Sequence, residues 1–108
     1  MKIILQAKNI DLTPSIKEFV DEKVGMISKL LNDKDEELAE ARVEVGKPSR
    51  HHQSGFVFYA EINLKIGKQL LRATEEHLDL HTAIDAARDK IEMQLRKVKE
   101  IKISGRRN

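Results

Sequence analysis

The sequence predicts an α+β fold: a two-layer sandwich in the order β-α-β-β-β-α, with two helices packed on one face of a four-stranded sheet. Three observations carry this. Four segments alternate apolar and polar residues with period two. Two segments carry a single apolar stripe at helical spacing. The last three strands follow one another through short connections, which makes them an antiparallel meander. One sheet face holds the large apolar residues and the other is mostly polar, so both helices belong on the first and the second stays wet.

The elements follow in order. From Lys2 to Lys8, Ile3, Leu5 and Ala7 share one parity, which reads as a strand. Thr13-Pro14 supplies a capping hydroxyl followed by proline at the first helical position. Ile16, Phe19, Val20, Val24, Ile27, Leu30 and Leu31 then recur at helical spacing, predicting a helix over 14–31. Gly25 inside it costs about 1 kcal/mol relative to alanine, which tertiary packing must offset. Residues 32–40 read as a polar loop, and Ala41, Val43 and Val45 mark a second strand. Gly46 to Gly55 is a turn-rich hairpin connection. Phe56 to Ile66 is the clearest strand, with Phe56, Phe58, Ala60, Ile62, Leu64 and Ile66 on one face and Tyr59 on the other. Gly67-Lys68 turns the chain into a strand over 69–75. A long helix runs from about Asp79, its N-cap, to Ile101, with a stripe of Leu80, Ala83, Ile84, Ala87, Ile91, Leu95 and Val98.

At 108 residues the chain is one domain with one modest core, and we assign residues 1–103 to it and 104–108 to a polar tail. Its hydrophobic fraction of 40% and net charge of +2 do not fit a disordered chain. The absence of cysteine removes disulfides, cysteine zinc sites and a thiol nucleophile, and suits a reducing cytosol. No apolar run approaches the roughly 20 residues of a membrane helix.

Catalytic signatures are missing. The glycines are scattered, no serine sits in a nucleophile elbow, and the carboxylates fall on helix surfaces or in loops. The chain is therefore not expected to be an enzyme, and no cofactor or metal is expected. His77 and His81 are four apart, but Asp79 between them reads as the helix cap, so His77 precedes the helix. His51 and His52 lie in the hairpin connection beside Lys47 and Arg50, a basic loop able to reach a polyanion.

Charge is unevenly placed. Residues 33–44 hold six acids against Lys34 and Arg42, whereas residues 94–108 hold Arg96, Lys97, Lys99, Lys102, Arg106 and Arg107 against Glu100. The basic end either contacts phosphates or complements the helix dipole and keeps the tail soluble. Lys23 falls inside the apolar stripe of the first helix, beside Ile16, Ile27 and Leu30. Either it snorkels from the core edge, or it emerges in a groove between the helices, joining Lys17, Lys29, Lys90 and Lys97 in one positive channel. With only Phe19, Phe56, Phe58 and Tyr59 as aromatics, and three of them core, a base-stacking sheet is not expected.

Three segments carry a resemblance: IDLTPSIKEFVDEK (10–23), ARVEVGK (41–47) and EHLDLHTAIDAARDKIEMQLRKVK (76–99). Together with the element order they resemble the short ribosome hibernation promoting factors, also called ribosome-associated inhibitor or ribosomal subunit interface proteins. The likeness covers essentially the whole chain. It implies a fold related to the double-stranded-RNA-binding domain. It implies binding to the small subunit of the 70S ribosome, where mRNA and the A- and P-site tRNAs would lie, through basic residues on 16S rRNA. By motif position these are Lys17, Lys23, Lys29, Arg88, Lys90, Arg96, Lys97 and Lys99, with Lys47 and Arg50 as accessory contacts. It further implies a stress or stationary-phase factor of a bacterial or organellar cytoplasm, monomeric off the ribosome, with no membrane or small-molecule partner. Departures from the family pattern are Met26 in place of a frequent lysine, His81 in place of a frequent tyrosine, and a long 46–55 connection. The short chain is expected to lack the dimerising C-terminal domain of long members and the acidic tail of inhibitor-type members. The competing class is a protein-interaction module offering its sheet edge or acidic loop.

Overall fold

The computed structural model describes the backbone of residues 1–48 and 57–106, and side chains as far as residue 99. The elements are β1 (Lys2–Lys8), α1 (Pro14–Gly25), a 3-10 turn (Met26–Leu30), α2 (Asp33–Leu38), β2 (Ala39–Gly46), β3 (Phe58–Ile66), β4 (Gln69–His77) and α3 (Leu80–Arg106). The sheet order is β1-β2-β3-β4. β1 runs parallel to β2, while β2, β3 and β4 form the expected antiparallel meander.

The alternation puts Ala41, Val43, Val45, Ala60, Ile62, Leu64, Leu71 and Ala73 on one sheet face, all buried. Val20, Val24 and Ile27 press down on it from α1 and the 3-10 turn, and Leu80, Ala83, Ile84, Ala87, Ile91 and Leu95 from α3. Each fully buried aliphatic side chain contributes about 1.5–3 kcal/mol of transfer free energy. No charged or polar residue enters this core among the described residues.

Several boundaries differ from expectation, among them the end of β4, which continues past residue 75 to His77. The first helix is α-helical only to Gly25 and then tightens into the 3-10 turn. Gly25 is its weakest propensity position, and the tighter winding still lets Ile27 into the core. The polar loop contains α2. Asn32 caps it by accepting from the Asp35 amide at 2.8 Å, and Asp33, Asp35 and Glu36 in its first turn favour the helix dipole. β2 begins at Ala39, because Ala39 continues the inward parity of Ala41 and Val43. α3 continues to Arg106, past the expected end at Ile101 and into the expected tail, because no proline interrupts it. Phe56 and most of the 46–55 connection lie outside the described residues.

Thr13 caps α1 through the Ile16 amide at 3.2 Å, as expected. Asp79 caps α3, accepting from both the amide and the hydroxyl of Thr82 at 3.0 and 2.8 Å. Those bonds hold its carboxyl below the usual aspartate value.

Candidate nucleic-acid interface

α1 and the 3-10 turn after it meet α3 along a seam read from three contacts. The Phe19 and His81 rings meet edge to face, 4.3 Å apart and at 85°. The Arg88 guanidinium donates to the Met26 sulfur at 3.3 Å. The Lys99 ammonium donates to the Leu30 carbonyl. Residues 81, 88 and 99 are whole turns apart on one flank of α3, facing residues 19, 26 and 30 in the same chain direction.

The opposite flank of α3 faces β4. Lys90 pairs with Glu75 at 2.7 Å, and the Gln94 side-chain amide donates to the Arg72 carbonyl at 2.9 Å. Lys97, seven residues after Lys90, shares this flank. Lys90 and Lys97, weighed for one channel with Lys23, thus sit on the β4 flank of α3. Lys23 is half-buried on the seam side, its ammonium 5.7 Å from the Phe19 ring. Lys90 and Lys97 lie across α3 from it. Lys17, Lys29 and Arg96 are exposed. The helical period explains the separation: residues 88 and 90 are two apart and point to different flanks.

Arg88 differs from the other candidates. Its side chain is only 14% exposed, and its guanidinium lies 3.0 Å from Asp89 and 3.8 Å from Asp85. Its charge is thus compensated within the protein. Positive charge concentrates instead in the C-terminal half of α3, where residues 93–99 hold Arg96, Lys97 and Lys99 and no acid. Among the accessory candidates, Lys47 holds its ammonium 5.2 Å over the Phe58 ring, while Arg50, His51 and His52 lie outside the described residues. The start of that connection is anchored, since Asn9, at φ 60°, donates from its side-chain amide to the Lys47 carbonyl at 3.0 Å.

The open sheet face carries two ion pairs and a hydrogen-bonded glutamate. Glu44 accepts from Gln6 at 2.7 Å and from the Tyr59 hydroxyl at 2.8 Å. Glu61 pairs with Arg72 at 2.6 Å, and Arg42 with Glu40 at 2.9 Å. Burial, then the Glu44 hydrogen bond and the charges of Glu44 and Glu61, push the Tyr59 hydroxyl up to about 12. In the acidic α2, Glu36 holds the ammonium of Met1. His77 ends β4 and its Nδ1 accepts from the Asp79 amide at 3.2 Å, so it precedes α3 as its sequence position suggested. No group of three or more potential metal ligands converges among the described residues, and no described helix is long and apolar enough to cross a membrane.

Sequence reasoning missed α2, the role of Glu75 as partner to Lys90, and Met93, which stands 55% exposed between Lys90 and Lys97. Asn32 followed by three acids within four residues was a readable helix start. No sequence signal pairs Glu75 with Lys90.

Comparison with known proteins agrees with this architecture. The sequence pattern of the sigma 54 modulation protein / S30EA ribosomal protein family matches residues 3–102. The chain is 30% identical over 100 residues to a ribosome hibernation promotion factor of Deinococcus radiodurans, covering 88% of this chain and 47% of that protein. It is 28% identical over 99 residues to one from Lactococcus lactis subsp. cremoris, covering 92% and 50%. The chain thus spans about half the length of the curated relatives it matches. Among solved structures, the N-terminal domain of Thermus thermophilus Protein Y superposes with a TM-score of 0.74 at 26% identity, covering 91% of this chain and 99% of that one. A ribosomal subunit interface protein from Coxiella burnetii shares the fold with a TM-score of 0.73 at 18% identity, covering 93% and 99%.

Proposed function

Because the chain belongs to the sigma 54 modulation protein / S30EA ribosomal protein family, we propose that it is a ribosome hibernation factor acting without catalysis. It binds the small ribosomal subunit in the path of mRNA and the A- and P-site tRNAs. Lys17, Lys23, Lys29, Lys90, Arg96, Lys97 and Lys99 meet 16S rRNA phosphates, with Lys47 and Arg50 as accessory contacts. Arg88 holds the 3-10 turn to α3 and so sets the spacing of the seam-side cations. The protein's body then blocks initiation by occupying the path. It works in the cytoplasm during stress or stationary phase and is a monomer off the ribosome.

The family match across nearly the whole chain carries this reading. The exposed Arg96 and Lys97, which have no ion-pair partner among the described residues, support it, because phosphate binding needs charge that is not already committed within the protein. On the open sheet face, Arg72 and Arg42 are taken up by Glu61 and Glu40 within the sheet.

The test is sedimentation of the protein with small subunits and with 70S ribosomes across a salt series, with and without mRNA and tRNA. Binding that falls steeply with salt and is competed away by mRNA and tRNA is expected. Lys90→Glu with Lys97→Glu should weaken it and flatten the salt dependence, by roughly 0.7–0.9 in log–log slope per lost phosphate contact. Binding that ignores salt would instead favour the protein-interaction module.

A further inference from the structure

α3 carries an apolar side chain that the core does not use. Met93 is 55% exposed. A lone exposed methionine is ordinary on a protein surface, but this one is framed. Lys90, Met93, Gln94 and Lys97 line a shallow depression of about 220 Å³. Lys90 and Lys97 stand two helical turns apart, about 10.5 Å along the axis, with Met93 near the middle. Lys97 has no ion-pair partner among the described residues, and that of Lys90 is Glu75. Gln94 is held through its amide nitrogen by the Arg72 carbonyl, which leaves its own carbonyl oxygen as an acceptor at the rim.

We propose that this flank is a seat for one unpaired nucleotide of RNA. The base lies on the Met93 thioether, a soft and polarizable partner for an aromatic ring. Lys90 and Lys97 hold the phosphates on either side, and the Gln94 carbonyl accepts from an exocyclic amine of the base. A flat base suits a shallow depression framed by two cations. Arg96, the residue before Lys97, is also exposed. Glu75 competes with phosphate for Lys90 and so restrains binding. The proposal rests on the rRNA-binding reading and adds to it the kind of element contacted.

The test measures dissociation constants of the full chain for purified small ribosomal subunits at several salt concentrations. Met93→Ala should bind about 2- to 10-fold more weakly with an unchanged salt slope, since it removes a thioether–ring contact and no charge. Met93→Leu should retain more of the affinity than Met93→Ala. Glu75→Gln should bind about 1.5- to 5-fold more tightly, the worth of one exposed ion pair. A photoreactive diazirine side chain at position 93 should crosslink to rRNA. Met93→Ala binding as tightly as the unsubstituted chain would overturn the seat, as would a crosslink to a ribosomal protein alone. If Lys23→Glu and Lys29→Glu weaken binding while no variant at 75, 90, 93 or 97 does, the seat is wrong and the rRNA reading stands. If the unsubstituted chain does not bind small subunits at low salt, both fall.

Discussion

Arg88 separates two roles that a basic residue can play at an RNA surface. A phosphate ligand must keep its charge available, whereas Arg88 is 14% exposed and lies between Asp85, Asp89 and the Met26 sulfur. Replacing it with alanine removes a charge-assisted hydrogen bond worth about 1.5–3 kcal/mol. It also removes buried methylenes at about 0.8 kcal/mol each. The two aspartates left four residues apart repel by roughly 0.2–0.5 kcal/mol. Their own exposure of 40% and 63% lets water recover part of the lost pairing, which holds the total to about 2–3 kcal/mol. For a chain of this size that lowers the melting temperature by roughly 8–20 °C. Arg88→Met keeps most of the stem packed against Met26 and should lose about 1 kcal/mol. The decisive assay compares the salt dependence of small-subunit binding for Arg88→Met and Lys97→Met. Lys97→Met should lower the log–log slope by roughly 0.7–0.9, the value of one phosphate contact, and leave the melting temperature unchanged. Arg88→Met should lower the melting temperature and leave the slope alone. A lowered slope for Arg88→Met at full stability would refute this reasoning and return Arg88 to the list of phosphate ligands.

Three further outcomes are expected. Gly46→Ala would place a Cβ 2.0 Å from the Lys8 carbonyl oxygen, so β1 and β2 must part at that end. The expected loss is about 1–3 kcal/mol, read as a lower denaturation midpoint at unchanged m-value, and an unchanged midpoint would contradict the observed approach of the strands. Tyr59, raised from 10.0 to about 12 in the folded chain, contributes stability that is fully present below about 10 and is lost as pH rises through about 12. Tyr59→Phe should flatten that alkaline loss, and phenolate absorbance titrating at the ordinary tyrosine value in the folded protein would refute the assignment. Asp79, lowered in the folded chain by its bonds to Thr82, contributes stability that is present above the usual aspartate value and is lost as pH falls through its folded value. Asp79→Asn keeps a capping oxygen and should reduce the acid sensitivity of α3, measured by helical circular dichroism. An acid arm identical to that of the unsubstituted chain would show that the cap charge contributes nothing.

The strands and the two main helices were legible because their signals are local. Alternation from Ile3 to Ala7 and from Phe58 to Ile66, and the stripe from Leu80 to Val98, state both the element and its buried face. The caps Thr13 and Asp79 were equally local, since each acts within three residues. The uneven distribution of charge and the family motifs could be read the same way. What the chain alone left open was how far each cation is spent inside the molecule. Arg88 and Lys90 stand two apart and look alike in sequence. One packs toward Met26 across the α1–α3 seam, and the other reaches Glu75 on β4. The parallel pairing of β1 with β2, the close approach at Gly46 and the exposure of Met93 were likewise decided by tertiary structure. The physical reason is range. Periodicity and capping act over a few residues and a few ångströms, whereas the partner of a charge is set by contacts between elements far apart in the chain. Only the assembled fold determines which lysines retain an ammonium free for a phosphate.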